Sequence, residues 1–216
     1  MNVLEMKNVC YKYNDGNDYV LKNINFYFKK GKIYAIKGKS GSGKTTLLSL
    51  ISGLEKYKEG NILYNGGELK ELDLDHYRNT NIGIVFQSFN LLPHLTAMEN
   101  IILSMDISNI KVPNKKQRAL ALLKDVGLNE EQGNRRILKL SGGEQQRVAI
   151  ARSLSYDPEI ILADEPTGNL DKETEDEIME IFKNLAKKKN KCIIIVTHSN
   201  NVANKADIVY ELKKGI

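Results

Sequence analysis

The sequence predicts an α/β fold with a mainly parallel sheet, an antiparallel β part and an α-helical lobe. Three observations carry this reading. Four short apolar runs, at 33–37, 82–86, 159–164 and 192–197, are continuous rather than alternating, which suits strands buried on both faces of a parallel sheet. Stretches of helical character separate them. Two earlier segments, Leu4–Tyr13 and Val20–Phe28, alternate loosely between apolar and polar residues, as antiparallel strands do.

Taken in order, Asn14-Asp15-Gly16-Asn17-Asp18 reads as the turn between those two segments. The run Ile33–Ile36 leads into a glycine-rich loop, Gly38-Lys39-Ser40-Gly41-Ser42-Gly43-Lys44-Thr45, and then a helical stretch, Thr46–Ile51. Gly60–Tyr64 with Asn65-Gly66-Gly67 adds a strand and a turn. From about 90 to 155 no core strand is evident, and Thr96–Leu103, Lys115–Val126 and Gly142–Ser155 read as helices of a lobe. Glu159–Glu165 is an apolar strand ending in two acids. Asp171 is suited to cap the next helix, whose Ile178, Ile181, Phe182 and Leu185 fall on one face. Cys192–Thr197 ends at His198, and a last strand covers Ile208–Leu212. The expected organisation is a single domain over 1–216. Residues 1–89 and 156–216 form a core with its β part, and 90–155 form the helical lobe.

The chemistry begins at Gly38–Thr45, which fits Gly-x-x-x-x-Gly-Lys-[Ser/Thr]. A triphosphate needs many donors at short range, so backbone N–H groups must turn inward and side chains must stay small. Lys44 can reach the terminal phosphates, Thr45 can offer its hydroxyl to Mg²⁺, and the following helix points its positive end at the charge. Asp164 and Glu165 stand at the carboxyl end of a parallel strand, where ligands bind in such sheets. Asp164 is placed for the Mg²⁺ shell and Glu165 to polarise an attacking water. His198 also follows a strand end, within reach of a terminal phosphate. Leu140-Ser141-Gly142-Gly143-Glu144-Gln145-Gln146-Arg147 starts a helix, with Ser141 as N-cap and Glu144 closing a capping box. That box leaves Gly142-Gly143 unexplained, since glycine weakens a first helical turn.

Composition narrows the class. With 216 residues, 41% hydrophobic and 27% charged, the chain is that of a soluble globular domain. No stretch approaches the roughly twenty apolar residues of a membrane span. The N-terminus lacks the basic start and apolar core of a signal peptide, and the chain stops too soon after its last strand for a tail domain. Cys10 and Cys192 form neither a disulfide framework nor a metal pattern, which fits a reduced cytoplasm. The net charge is +5, and its densest run, Lys187-Lys188-Lys189 with Lys191, reads as a solvated helix end, with contact to anionic lipid or nucleic acid as the other reading.

In this order the motifs resemble those of the ATP-binding cassette (ABC) ATPases, over nearly the whole chain. Gly38–Thr45 resembles the Walker A loop, and Ile160–Asp164 the Walker B strand with Glu165 as catalytic base. Leu140–Gln145 resembles the ABC signature, and Gly168–Asp171 the D-loop. Gln87 resembles the Q-loop glutamine that joins the Mg²⁺ shell, and His198 the switch histidine. Tyr13 resembles the aromatic that stacks on adenine, with Tyr11 a rival. Val85–Leu92 and Ala163–Asp171 resemble the branch serving macrolide export, lipoprotein release and cell-division permeases (the MacB, LolD and FtsE type).

The resemblance implies a P-loop NTPase core of the ABC ATPase fold that hydrolyses ATP with Mg²⁺. The nucleotide would meet Tyr13, the loop from Gly38 to Thr46, Gln87 and His198 in one chain. It would meet Ser141, Gly142, Gly143, Glu144 and Asp171 in a second copy. The resemblance further implies an ATP-dependent homodimer on a separate membrane permease, at the inner face of the cell membrane, with no nucleic-acid partner. Phe89, Leu91, Leu92 and Leu95 would either seat the helical lobe or line the groove for the permease. The alternative is a soluble ABC ATPase of DNA repair, chromosome organisation or translation. Those proteins carry a coiled-coil insertion or two cassettes in one chain, and this sequence has neither.

Overall fold

The computed structural model describes residues 2–13 and 18–213. In chain order the strands are β1 (Leu4–Tyr11), β2 (Leu21–Phe28), β3 (Ile33–Lys37), β4 (Glu59–Tyr64), β5 (Gly67–Glu68), β6 (Ile82–Val85), β7 (Ile160–Asp164), β8 (Cys192–Thr197) and β9 (Ile208–Glu211). The α-helices are α1 (Lys44–Ile51), α2 (Leu74–Thr80), α3 (Ala97–Ile107), α4 (Lys115–Asp125), α5 (Glu130–Gly133), α6 (Gly142–Ser153), α7 (Lys172–Lys189) and α8 (Asn200–Asn204). The turn expected at Asn14–Asp18 lies outside the described residues, apart from Asp18.

Two sheets form. The first is antiparallel in the order β2-β1-β4-β5, and the second is parallel throughout in the order β6-β7-β8-β3-β9. The parallel sheet explains the continuous apolar runs, because side chains alternate between two covered faces. Ile161 and Ala163 of β7 and Ile193 and Ile195 of β8 face a core shared with α3, α4, α6 and α7. Ile160, Leu162, Ile194 and Val196 face the opposite core, shared with α1 and the antiparallel sheet. Phe26 stacks on Tyr210 at 4.2 Å, and the Tyr210 hydroxyl donates to Tyr27 O at 3.0 Å. These contacts fasten the antiparallel sheet to edge strand β9.

The segment expected as the lobe holds α3–α6; α3, α4 and α6 pack on one another, and α6 lies against β6. Gly83 shows how close the approach is. A Cβ there would lie 2.6 Å from Ser153 O, so only glycine lets β6 pass beneath the end of α6. Helices α2, α5 and α8 have no counterpart in the sequence reading. They are short, and polar caps at Asp73, Asn129 and Ser199 start them rather than an apolar period. No helix among the described residues is long and apolar enough to cross a membrane.

Because the five core strands run the same way, their carboxyl ends share one edge. That edge presents the loops after Lys37, Val85, Asp164 and Thr197, which carry most of the chemistry singled out in the sequence.

Candidate active site

Between β3 and α1 the chain turns through Gly38–Gly43. Gly43, at φ 92°, precedes the helix in a left-handed conformation that favours glycine. It also lies against β2's start, where a Cβ would meet Leu21 Cδ2 at 2.9 Å. Helix α1 has no side-chain cap and no acid in its first turn. Helices α2–α8 are each capped by a side chain, namely Asp73, Thr96, Asn114, Asn129, Ser141, Asp171 and Ser199. Among the α-helices of the described residues, α1 alone has no side-chain cap, which leaves all of its first N–H groups open to a ligand. The Lys44 ammonium folds over the loop, donating to Gly38 O at 2.9 Å and Lys39 O at 3.2 Å. The loop is tightly wound: a Cβ on Gly38 would fall 2.3 Å from Ser42 Oγ, a buried atom without a hydrogen-bond partner.

Across the cleft stand the acids. Asp164 ends β7, and its Oδ2 accepts from Thr45 Oγ1 at 3.5 Å. Burial, and then the neighbouring Glu165, push the Asp164 carboxyl above its usual range, against smaller opposing effects of Thr45 and Lys44. Glu165 is held at φ 44°, a conformation costly for a residue with a side chain. Its backbone is fixed by Glu165 N to Val196 O at 3.0 Å and Gly168 N to Glu165 O at 3.1 Å. Its Oε1 lies 2.9 Å from His198 Nδ1 and 4.0 Å from Lys44 Nζ. Gln87 lies on the same side, its Nε2 3.5 Å from Asn169 Oδ1. Gly168 makes room for it, since a Cβ there would come 2.8 Å from Gln87 Nε2.

These groups border an open cleft of about 800 Å³. It gathers Tyr13, Ser40, Gly41, Gly43, Lys44, Thr45, Thr46, Gln87, Asp164, Glu165 and His198. Gly38, Lys39 and Ser42 line an adjoining hollow beside Leu212, with Ser40 and His198 shared between the two. The two tyrosines separate clearly. Tyr13 is 51% exposed and its hydroxyl lies 2.9 Å from Thr46 Oγ1, whereas Tyr11 is buried and donates to Glu55 at 3.2 Å. Only Tyr13 opens on the cleft. Val20 also lines it, against Gly43, and nothing in the sequence distinguishes that residue from any apolar one starting a strand.

Ser141, Gly142, Gly143, Glu144 and Asp171 border neither cavity. Ser141 and Gly142 are exposed at the start of α6. Ser141 Oγ accepts from Glu144 N at 3.2 Å and Glu144 Oε2 from Ser141 N at 2.7 Å, the expected capping box. The structure adds a packing reason for Gly143, whose Cβ would lie 2.6 Å from Thr174 Cγ2 on α7. No such reason exists for Gly142, where a Cβ would meet Leu170 at an ordinary 3.6 Å. Asp171 caps α7 by accepting from Thr174 N at 2.9 Å.

After Gln87, Phe89 and Asn90 both adopt positive φ, and Arg152 of α6 donates to both carbonyls, to Phe89 O at 3.0 Å. The apolar residues beyond divide. Leu91 packs into the core below the lobe, while Leu92 is 40% exposed.

Two observations test whether a nucleoside triphosphate and a divalent cation suit these residues. The uncapped N-terminus of α1 lacks the acid that would repel phosphate. The raised Asp164 carboxyl beside Glu165 is an acidic pair that a cation would relieve. Both fit.

Comparison with known proteins places the chain. The model of the ABC transporter family matches residues 21–168. An uncharacterised ABC transporter ATP-binding protein, YclH of Bacillus subtilis, is 46% identical over 215 residues, covering 100% of this chain and 95% of the relative. Another, MJ0796 of Methanocaldococcus jannaschii, is 42% identical over 221 residues, covering 99% and 94%. The dimeric structure of MJ0796 matches with a TM-score of 0.86, covering 98% of this chain and 95% of that one. A second dimeric structure of MJ0796, in a post-hydrolysis state bound to ADP and Pi, matches with the same TM-score of 0.86. The structure of cbiO1 from Clostridium perfringens, part of the ABC transporter complex cbiONQ, matches with a TM-score of 0.90 at 31% identity, covering 99% and 86%. From its sequence, its fold and the arrangement of its loops, the chain belongs to the ABC transporter family as one of its ATP-binding domains.

Proposed function

We propose that this chain hydrolyses ATP as one half of a homodimer that drives a separate membrane permease. One observation carries the two-chain reading. Phosphate-binding donors occur at two places, the uncapped start of α1 and the start of α6, and the cleft that holds the first contains nothing of the second. A two-fold interface brings Lys44 of one chain to Ser141 of the other and makes two equivalent sites. The dimeric structures of MJ0796, one bound to ADP and Pi, support this reading and the ATPase activity with it.

In each site Tyr13 stacks on the adenine, and the loop from Gly38 to Thr46 holds the phosphates. Thr45, Asp164 and Gln87 would hold Mg²⁺, which neutralises phosphate charge when bound. Glu165 accepts the proton of the attacking water, and its 2.9 Å contact with His198 fixes the carboxylate for that task. Ser141, Gly142 and Gly143 of the partner subunit close over the terminal phosphate, flanked by Glu144 and Asp171. Hydrolysis removes the shared ligand and lets the halves part.

The segment from Gln87 to Leu95 and the lobe, residues 90–155, form the surface for the permease. Exposed Leu92 and the Arg152 clamp on Phe89 and Asn90 support that assignment. The relative cbiO1 is part of an ABC transporter complex, and that membership supports a permease partner for this chain. The chain then works at the inner face of the cell membrane. Its cargo belongs to the class of peptides, antibiotics or lipoproteins exported or extracted by this branch, and the permease selects it.

Tagged Glu165→Gln protein isolated from membranes with ATP tests the proposal. An integral membrane protein in the isolate is the expected result, and only soluble partners or nucleic acid would overturn it. In the intact complex, Leu92→Asp should abolish transport while basal ATP hydrolysis persists. Normal transport by that variant would remove Leu92 from the permease surface.

A further inference from the structure

Glu144 is the one acid in the first turn of α6, beside the N–H groups of Gly142 and Gly143. On the two-chain reading proposed above, that is where the partner's terminal phosphate docks. A mobile carboxylate there would compete for the same donors and repel the phosphate. Both oxygens of Glu144 are instead held by hydrogen bonds. Oε2 accepts from Ser141 N at 2.7 Å, and Oε1 accepts from the Gln132 side-chain amide at 2.6 Å.

Gln132 comes from α5, a short helix with no apolar period. The other end of its amide closes a second capping box: Oε1 accepts from Asn129 N at 2.9 Å, and Gln132 N donates to Asn129 Oδ1 at 2.9 Å. Two capping boxes, Asn129–Gln132 and Ser141–Glu144, are thus interlocked through one side chain. The arrangement also sets Ser141, whose Oγ accepts from Glu144 N, so the hydroxyl proton is left for an outside acceptor. The Ser141 N–H, and after it the Gln132 amide, hold the Glu144 carboxyl below its usual range.

We infer that Gln132 is a positioning residue of the composite ATP site. Its amide clamps Glu144 against the Ser141 backbone and keeps the start of α6 clear for the partner's phosphate.

Two variants separate this role from simple support of α5. Gln132→Glu keeps an acceptor for Asn129 N but sets an acid against Glu144. Gln132→Arg keeps a donor for Glu144 but loses that acceptor. Both are made in the Glu165→Gln protein. The readouts are the dissociation constant of the ATP-bound dimer, the ATP affinity of the single chain and the melting temperature. Gln132→Glu should weaken dimerisation about tenfold, the scale of one hydrogen bond to a charged group, with single-chain ATP affinity unchanged. Gln132→Arg should dimerise like its parent. The reverse order, or equal dimerisation by both, would overturn the inference. If Gln132→Glu does not fold, Gln132→Leu removes both amide groups without adding charge and is read against Gln132→Arg in the same way. A Glu165→Gln parent that stays monomeric with ATP would instead bring down the two-chain reading itself.

Discussion

Gly143→Ala isolates a packing constraint that lies within a functional motif. The added Cβ would sit 2.6 Å from Thr174 Cγ2. Thr174 is not free to turn, because its Oγ1 donates to Asp171 Oδ2 at 2.7 Å and its N to Asp171 Oδ1 at 2.9 Å. Rotating the methyl away breaks the hydroxyl bond and loosens the cap of α7. Overpacking of this kind costs about 1–3 kcal/mol. Replacing glycine by alanine in a helix returns at most about 1 kcal/mol, and less in a first turn. The net expectation is a loss of about 1–2 kcal/mol, or roughly 2–8 °C in melting temperature for a domain of this size. Thr174→Ser deletes Cγ2 and keeps the hydroxyl for Asp171. In that background Gly143→Ala should become neutral or stabilising, which gives a coupling of about 1–3 kcal/mol. Denaturation of the four proteins without nucleotide measures it. Equal stability of Gly143→Ala and the parent, or an undiminished cost in the Thr174→Ser background, would refute the packing argument.

Three further outcomes follow from the geometry. Asp164→Asn should stabilise the nucleotide-free protein at neutral pH and abolish ATP hydrolysis. The raised Asp164 carboxyl penalises the fold above its folded pKa, so the variant's advantage should fade as pH falls through that value toward the unfolded one. Glu159 behaves in the opposite sense. Burial pushes its carboxyl up, but Lys30, the Tyr64 hydroxyl and Asn65 outweigh it and hold the group below its usual value. Its contribution is therefore complete above the unfolded pKa and lost as pH falls through the folded one. Glu159→Gln should cost on the order of 1 kcal/mol at pH 7, discounted for solvent screening, with the gap closing in acid. Arg152→Met leaves the carbonyls of Phe89 and Asn90 without their donor, and should cost about 1–3 kcal/mol. Limited proteolysis should then cut faster between residues 86 and 92, and an unchanged cutting rate would count against the clamp.

The parallel core was legible because burial on both faces leaves its mark in single strands: β7 and β8 are apolar at every position but their last. Their order in the sheet was not, since strand pairing joins residues far apart, such as Ala35 with Ile195. Helix α2 was not legible because only Tyr77 is buried along it, which leaves no apolar period. The loop after β3 and the acids after β7 were readable because phosphate chemistry restricts residue type and spacing. Tyr13 and Tyr11 were not separable by type, and only the fold sends one into the cleft and the other onto Glu55. The Gln132–Glu144 contact joins two caps twelve residues apart, each ordinary by itself, and no local pattern announces their junction.

On the reading proposed above, one ATP site is built from two chains. Its most direct test is the solution mass of Glu165→Gln protein with and without ATP, beside the same protein carrying Ser141→Arg. One chain's mass is expected without ATP and two with it. With Ser141→Arg the expected result is a single chain that still binds ATP through its own loop. A protein that binds ATP and stays at one chain's mass would contradict that reading, and so would a Ser141→Arg variant that dimerises as tightly as its parent.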